Sequence, residues 1–127
     1  MRRPTKANPK VAAWADSVRQ PDLFLSVITI IEIEMGILGL EYRRDHAQAA
    51  VLRTWMDSYI QPAFDGRILP VDAAVALRCA RLHVPDRRSD RDALIAATAL
   101  VHGLTVATRN VADFRAMGVS LLNPWEA

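Results

Sequence analysis

Three carboxylates from separate parts of the sequence, Glu32, Asp92 and Asp113, could do chemistry together. Glu32 and Asp92 lie on predicted helices that follow predicted strands, and Asp113 lies just past the end of another strand. The carboxyl ends of parallel strands share one edge of an α/β sheet, so we expect the three side chains to converge there. Gathered carboxylates repel one another unless a cation neutralises them, and oxygen ligands favour a hard ion such as Mg²⁺ or Mn²⁺ over zinc.

Polar residues near the predicted strand end could support such a site. At a phosphodiester, a divalent ion can polarise a non-bridging oxygen, lower the pKa of bound water and stabilise the leaving 3′ oxygen, while the protein supplies the geometry. Thr108 and Asn110 could orient a water or a ligand carboxylate. Asn110 has an equal alternative, which is to cap a short helix over residues 111–117.

Four arginines flank the proposed site and suit contacts with phosphate: Arg87, Arg88, Arg91 and Arg109. Such contacts bring affinity and salt dependence without base specificity. An ordinary solvated face contains arginines as well, so their spacing alone does not decide between the two interpretations.

The segment from Ser89 to Phe114 supplies the elements that must position two of the carboxylates. Ser89 and Asp92 have the form of a capping box, and Gly103 stands where a helix ends, which predicts a helix of about three turns. The apolar run from Leu104 to Ala107 then predicts a buried parallel strand. Polar residues follow it, at the place where α/β sheets bind ligands.

Two of the acidic residues have structural alternatives to a role in chemistry. The run from Thr29 to Glu32 has the form of a capping box, in which the Glu32 carboxylate reaches back to the Thr29 amide, and this local pattern favours neither interpretation. Asp72 is a good N-cap for the helix predicted after it. Glu34 lies about 200° around the helix from Glu32, so we expect it to be exposed to solvent.

The rest of the chain predicts short strands alternating with helices. The predicted elements are a helix containing residues 11–18, strands at 23–25, 67–70 and 119–122, and two helices joined near Gly39 to Tyr42. The second of these helices has apolar residues at every fourth position, namely Ala47, Val51, Trp55 and Tyr59. The two together would form an αα-hairpin whose exposed apolar residues are a candidate partner surface.

Length and composition indicate one domain. The 127 residues are 51% hydrophobic and 24% charged, so the chain can bury a core without disulfides. The net charge of +2 permits nucleic-acid binding but does not require it. Cys79 fits a buried side chain, and the histidines lack the paired spacing of a zinc site. With no signal peptide and no apolar run that could span a bilayer, we expect a cytoplasmic protein.

Three motifs, in this order and spacing, resemble the VapC/FitB-type PIN-domain ribonuclease toxins of prokaryotic toxin–antitoxin modules. They are SVIT ahead of Glu32, the helix DALIAATAL opened by Asp92, and TRNVADF with Asp113, within a match that extends to Trp125. The resemblance implies a three-layer α/β fold, in which helices flank a mainly parallel central sheet. It also implies a Mg²⁺-dependent endoribonuclease whose catalytic metal ligands are Glu32, Asp92 and Asp113, with Asp72 as a secondary candidate.

One feature of the family is missing from this chain. The family opens with a hydrophobic strand that ends in a DTN-like turn, whose Asp is a metal ligand, and this chain begins just downstream of that point. We therefore expect residues 1–127 to form a single PIN-like domain that is N-terminally truncated relative to the family. We also expect the natural protein to start further upstream.

The resemblance implies two partners, a cognate antitoxin that inhibits the enzyme and an RNA substrate. A homodimer is expected, and it is compatible with either interpretation of the function. No membrane is expected. The alternative function is a catalytically inactive module that binds an antitoxin or RNA without cleavage, because the missing strand would remove one acidic ligand.

Overall fold

Helices alternate with short parallel strands along the chain, as expected for the α/β class. The computed structural model of the protein describes residues 20–126, which fall into two compact units, residues 20–69 and residues 70–126. Every strand pairing within these residues is parallel. The predicted α/β class with parallel strands is therefore confirmed. The helix predicted at residues 11–18 lies outside the described residues.

The first unit contains two strands and a helical hairpin. Strand β1, Leu25–Ser26, pairs in parallel with β2, Ile68–Leu69. Between them lie α1, Val27–Tyr42, and α2, His46–Trp55. Helix α2 continues through a π-helical turn, Met56–Ile60, into a last α-helical turn at residues 61–63. The αα-hairpin is therefore confirmed.

Helix α1 begins earlier and ends later than its sequence pattern predicts. Ser26 is the N-cap, and its Oγ accepts a hydrogen bond of 3.0 Å from the amide of Ile28. The predicted capping box at Thr29 is therefore wrong, because Thr29 lies inside the first turn. The helix also continues through Gly39 and closes at Arg44, which has a positive φ of 63°. There the amide of Asp45 donates to the carbonyl of Leu40, which satisfies a free carbonyl at the helix end.

The core of the first unit lies between the two helices of the hairpin. Its fully buried members are Ile37 from α1 together with Ala49, Met56 and Ile60. The predicted apolar stripe of α2 is only partly right, because Val51 and Ala47 are exposed. The buried face is displaced toward Ala49 and Met56, whose side chains meet Ile37. Because a helix has about 3.6 residues per turn, residues at every fourth position spread over two adjacent faces of α2. Packing against α1 buries only one of these faces.

Glu34 is half-buried in this hairpin and does not stand free in solvent as expected. Its two carboxylate oxygens accept hydrogen bonds of 2.6 Å from the two terminal nitrogens of Arg53 on α2. This fork-to-fork pairing is the strongest geometry available to an arginine and a carboxylate. The hydrogen bond from Arg53 lowers the pKa of Glu34 against the opposing effect of burial.

The second unit contains the other strand pair and three helices. Helix α3 is Ala73–Leu82, α4 is Asp90–His102 and α5 is Val111–Phe114, followed by a 3-10 turn at Arg115–Met117. Strand β3, Val106–Ala107, pairs in parallel with β4, Leu121–Leu122. Both strands are shorter than predicted. Gly118, with a φ of 73°, makes the predicted turn before β4.

The core of the second unit is formed by small side chains where α3 packs on α4. Fully or almost fully buried residues include four alanines of α4 and one valine of α3: Ala93, Ala96, Ala97, Ala99 and Val75. Alanines let the two helix backbones approach closely, so α4 can serve as the centre of this unit. Cys79 is buried here as predicted, and burial raises the pKa of its thiol.

Within residues 20–126 the strands form two two-stranded pairs, one in each unit. Among residues 20–126 no helix has both the length and the hydrophobicity needed to cross a membrane.

Candidate functional site

Asp92 stands in the first turn of α4, where the helix cap holds it. Ser89 is the N-cap as predicted, and its Oγ accepts a long hydrogen bond of 3.5 Å from the amide of Asp92. At the other end Gly103 adopts the left-handed conformation, with φ 67°, and terminates the helix. A carboxylate in this first turn lies near the positive end of the helix dipole. The half-buried side chain of Asp92 is therefore fixed in place by an element that is defined at both ends.

Asp113 is held by the loop that joins β3 to α5. The amide of Asn110 donates a hydrogen bond of 3.0 Å to Thr108 Oγ1. The amide of Asp113 then donates one of 3.1 Å to the carbonyl of Asn110. Asn110 occupies the N-cap position, but its side chain makes no capping hydrogen bond, so the predicted capping role of that side chain is wrong. The loop thus presents the exposed Asp113 carboxylate one turn into α5.

The structure brings Asp92 and Asp113 within electrostatic reach of each other. Burial, and then the negative charge of Asp113, raise the pKa of Asp92 above its ordinary value. Both causes penalise the charged form of Asp92, and a cation bound by the two carboxylates would offset both. Because the donors are carboxylate oxygens, the pair fits a hard divalent ion rather than zinc or copper.

Glu32 belongs to the other unit, where it is exposed in the second turn of α1. Because α1 begins at Val27, Glu32 is too far along the helix to belong to a capping box. Its role as a third ligand stays a prediction. Within the part of the chain that the structure describes, no group of three or more His, Cys, Asp or Glu side chains is placed to hold a metal ion.

Asp72 has a structural role that accounts for its type. It is the N-cap of α3, and its Oδ1 accepts a hydrogen bond of 3.0 Å from the amide of Val75. The side chain is otherwise exposed. The N-cap prediction for Asp72 is confirmed, and its secondary role at the acidic site stays a prediction.

The arginines near the acidic pair differ in how they are held. Arg87 is exposed and pairs with Asp90 at 3.3 Å. Arg88 is half-buried, and within residues 20–126 its buried Nε has no hydrogen-bond partner. Arg91 is exposed on the first turn of α4. Arg109 is exposed and lies over the ring of Trp125, at 5.9 Å from the ring centroid.

Two features of this region were not found from the sequence. The amide of Arg88 donates a hydrogen bond of 3.0 Å to Nδ1 of His83, whose Nε2 lies 3.6 Å from Asp90. The second feature is the contact between Arg109 and Trp125, which joins the loops after β3 and β4. The sequence contained a signal for the contact between Arg109 and Trp125, because these two residues follow the two predicted strands at similar distances.

The PIN-domain family model matches residues 3–119 of the chain. The chain is 38% identical over 123 residues to toxin FitB of Neisseria gonorrhoeae, in an alignment that covers 93% of this chain and 86% of FitB. It is 34% identical over 128 residues to a VapC ribonuclease of Sinorhizobium fredii, in an alignment that covers 95% of this chain and 89% of the relative.

A solved structure agrees with these relatives. The crystal structure of FitAcB from Neisseria gonorrhoeae superposes with a TM-score of 0.88 at 38% sequence identity, and covers 98% of this chain and 91% of that chain. The family model, the two relatives and the superposition all extend over both units. The chain therefore belongs to the PIN-domain family, among its toxins of the VapC/FitB type.

Proposed function

We propose that this protein is a Mg²⁺-dependent endoribonuclease that hydrolyses RNA phosphodiester bonds as the toxin of a type II toxin–antitoxin module. The observation that carries the proposal is that Asp92 and Asp113 lie within electrostatic reach: burial and then the charge of Asp113 raise the pKa of Asp92. A cation bound by both carboxylates would offset both effects. Membership of the family and the names of the similar proteins support the same reaction.

Asp92 and Asp113 are the residues that would hold the ion, and Glu32 is proposed as a further ligand on the family resemblance alone. When bound, Mg²⁺, or Mn²⁺ in its place, would supply Lewis acidity toward the phosphate and lower the pKa of a coordinated water. Thr108 has a positioning role, because its hydroxyl holds the amide of Asn110 and so sets the start of α5. The cap of α4 and the loop hydrogen bonds before α5 place the backbones of Asp92 and Asp113 and reduce the cost of ordering them around the ion.

The arginines would bind the RNA backbone. Arg91 lies on the same helical turn as Asp92, and Arg87 precedes that turn. Because Arg87 already pairs with Asp90 on an exposed surface, a phosphate can compete for it at little cost. We propose these two as phosphate contacts, with Arg88 and Arg109 as further candidates. Their removal is expected to weaken binding of all sequences alike and to reduce its salt dependence.

The test is cleavage of single-stranded RNA in the presence of Mg²⁺, in the presence of EDTA, and by the variant Asp92→Asn. We expect EDTA to abolish cleavage. Asp92→Asn should reduce it by about 100-fold or more, since groups that stabilise transition-state charge typically contribute that much. The matched control is Asp45→Asn, which removes an exposed carboxylate at the N-cap of α2 but keeps a good N-cap. Cleavage that survives both EDTA and Asp92→Asn would refute the mechanism, and an absence of cleavage by the unmodified chain would favour the inactive binding module.

We further propose that a cognate antitoxin binds this chain, and an exposed face of α1 supports the proposal. Its apolar residues recur at helical spacing with large exposed fractions, namely Ile31 at 47%, Met35 at 49%, Leu38 at 51% and Tyr42 at 90%. The helix carries three glutamates, of which Glu34 already pairs with Arg53, and no lysine or arginine. This combination suits an amphipathic segment with basic residues beside its apolar face. The same glutamates would repel one another if two copies of α1 packed face to face.

The antitoxin interface can be tested with a single charge. Leu38→Glu should weaken antitoxin binding at least tenfold, because it buries a carboxylate in an apolar contact. Leu77→Glu is the matched control, since Leu77 is an exposed leucine of α3 with 70% of its surface accessible. Equal affinities of the two variants would rule out α1 as the docking surface. We also propose a homodimer that acts in the cytoplasm, and sedimentation equilibrium would give the number of copies.

A further inference from the structure

Arg109 and Trp125 occupy equivalent places after the two parallel strands of the second unit. Ala107 of β3 lies opposite Leu122 of β4, and the amide of Thr108 donates a hydrogen bond of 2.9 Å to the carbonyl of Leu122. Arg109 follows β3 by two residues and Trp125 follows β4 by three. Both therefore lie at the carboxyl edge of the pair, which is the edge at which α/β sheets bind ligands.

The tryptophan is held by its own turn rather than by core packing. The amide of Trp125 donates a hydrogen bond of 2.9 Å to Asn123 Oδ1, and the amide of Glu126 donates one of 3.1 Å to the Asn123 carbonyl. Pro124 is buried between these residues. The ring of Trp125 stays partly exposed, and the exposed Arg109 guanidinium lies over it at 5.9 Å from the centroid. Arg109 and Trp125 so placed form a partly exposed cation–π surface.

This surface shares a loop with the acidic pair. Residues 108–110 carry Arg109 and also set the start of α5, through the hydrogen bonds from Asn110 to Thr108 and from Asp113 to Asn110. Helix α5 in turn packs against β4. Arg109 and Asp113 are therefore placed by the same short loop, whereas Trp125 is placed by its own turn.

We propose that Arg109 and Trp125 form a stacking platform for one unpaired nucleobase of the RNA, close to the phosphate that is cleaved. The inference rests on the proposed ribonuclease function and adds a contact with a base. Bases of single-stranded RNA stack on aromatic rings and on guanidinium planes, whereas the electron-rich face of an indole does not attract a phosphate. Loss of one such stacked base typically reduces affinity by about 5- to 150-fold. The guanidinium charge also attracts the adjacent phosphate, so Arg109 contributes to both contacts.

The experiment measures whether removing one base from the RNA and removing the Trp125 ring from the protein have coupled effects on binding affinity. Full-length protein carrying Asp92→Asn, which prevents cleavage, is titrated by fluorescence anisotropy with a series of short single-stranded RNAs, each containing one abasic site at a different position. We expect one or two positions at which the abasic site weakens binding at least fivefold. Adding Trp125→Ala should weaken binding of the intact RNA by a similar factor and should abolish the effect of the abasic site.

Matched variants separate stacking from charge and from folding. Arg109→Lys keeps the charge but loses the planar group, so it should reduce the abasic effect, whereas Arg115→Ala, an exposed arginine of the same unit, should leave it unchanged. Trp125→Phe should restore part of the effect. If Trp125→Ala does not unfold cooperatively, Arg109→Lys and Trp125→Phe provide the same comparison.

The platform would be overturned if an abasic site weakened RNA binding by these variants as much as RNA binding by the original protein, or if its position made no difference. Only phosphate contacts would then remain. Cleavage by the unmodified protein is measured separately. RNA cleavage without coupling would refute this inference alone. Coupling without cleavage would refute the proposed enzymatic function alone.

Discussion

Replacing Asp92 by asparagine should leave the metal-free protein at least as stable as the original, although it should remove catalysis. Two opposing effects act on the carboxylate. The N-terminus of α4 favours its charge by about 0.3 to 1 kcal/mol, whereas burial and the charge of Asp113 disfavour it and raise its pKa. The raised pKa indicates that the unfavourable effects prevail. Because the side chain remains partly solvated, we expect the gain in the free energy of unfolding to be below about 1 kcal/mol.

Magnesium should reverse this order of stability. A ligand that binds only the folded state adds about 2.7 kcal/mol at a free concentration of 100 times its Kd. The original protein should gain most of that amount, and Asp92→Asn much less, because the variant has lost one of the charged ligands. Urea unfolding of both proteins, in EDTA and in millimolar Mg²⁺, measures the four free energies. Asp45→Asn, at the exposed N-cap of α2, should respond to Mg²⁺ like the original.

The pH dependence gives a second, independent check on the same residue. Because the folded-state pKa of Asp92 is raised, the stability that it contributes is present below its unfolded pKa and is lost as the pH rises through the folded pKa. The difference between the metal-free proteins should therefore shrink toward acid pH. A metal-free variant that is less stable by more than about 1 kcal/mol, with the same response to Mg²⁺ as the original, would refute the reasoning.

Further predictions concern interactions within each of the two units. Arg53 lowers the pKa of Glu34, so the stability from this pair is present above the unfolded pKa of Glu34 and is lost as the pH falls through its folded pKa. Glu34→Gln should remove this acid dependence, which urea unfolding between about pH 3 and 7 measures. Ser89→Ala should cost about 0.5 to 2 kcal/mol in thermal or chemical unfolding, because it removes the cap of α4. Ala97→Leu should cost about 1 to 3 kcal/mol, since its site is fully buried against α3. Cys79, buried and with a raised pKa, should resist alkylation in the native state at neutral pH and react after unfolding.

Features governed by neighbouring residues could be predicted from the sequence. Helix α4 was predicted from its cap at Ser89 to its end at Gly103, and α3 from its cap at Asp72. Each cap is a hydrogen bond between residues three apart, so the information lies within one turn of chain. The same locality explains the error in α1. Ser26 and Thr29 are both good N-caps, and the sequence alone does not choose between them.

Contacts between distant residues were beyond the sequence patterns. Glu34 and Arg53 are 19 positions apart, and their pairing follows from the turn of the hairpin. The lengths of β3 and β4 are set by where their backbones meet, and local propensity does not determine that point. For the acidic site, the sequence supplied Asp92 and Asp113 as candidates. Only the packing of α4 and α5 indicated that their charges interact.

The central claim is that Asp92 and Asp113 together bind a hard divalent ion. A crystal of the protein soaked in Mn²⁺, with anomalous diffraction collected to locate the manganese, tests it most directly. The account predicts an anomalous peak bonded to a carboxylate oxygen of Asp92 and to one of Asp113, and its disappearance from crystals of Asp92→Asn. A manganese peak that touches neither carboxylate, or no peak at saturating Mn²⁺, would contradict it.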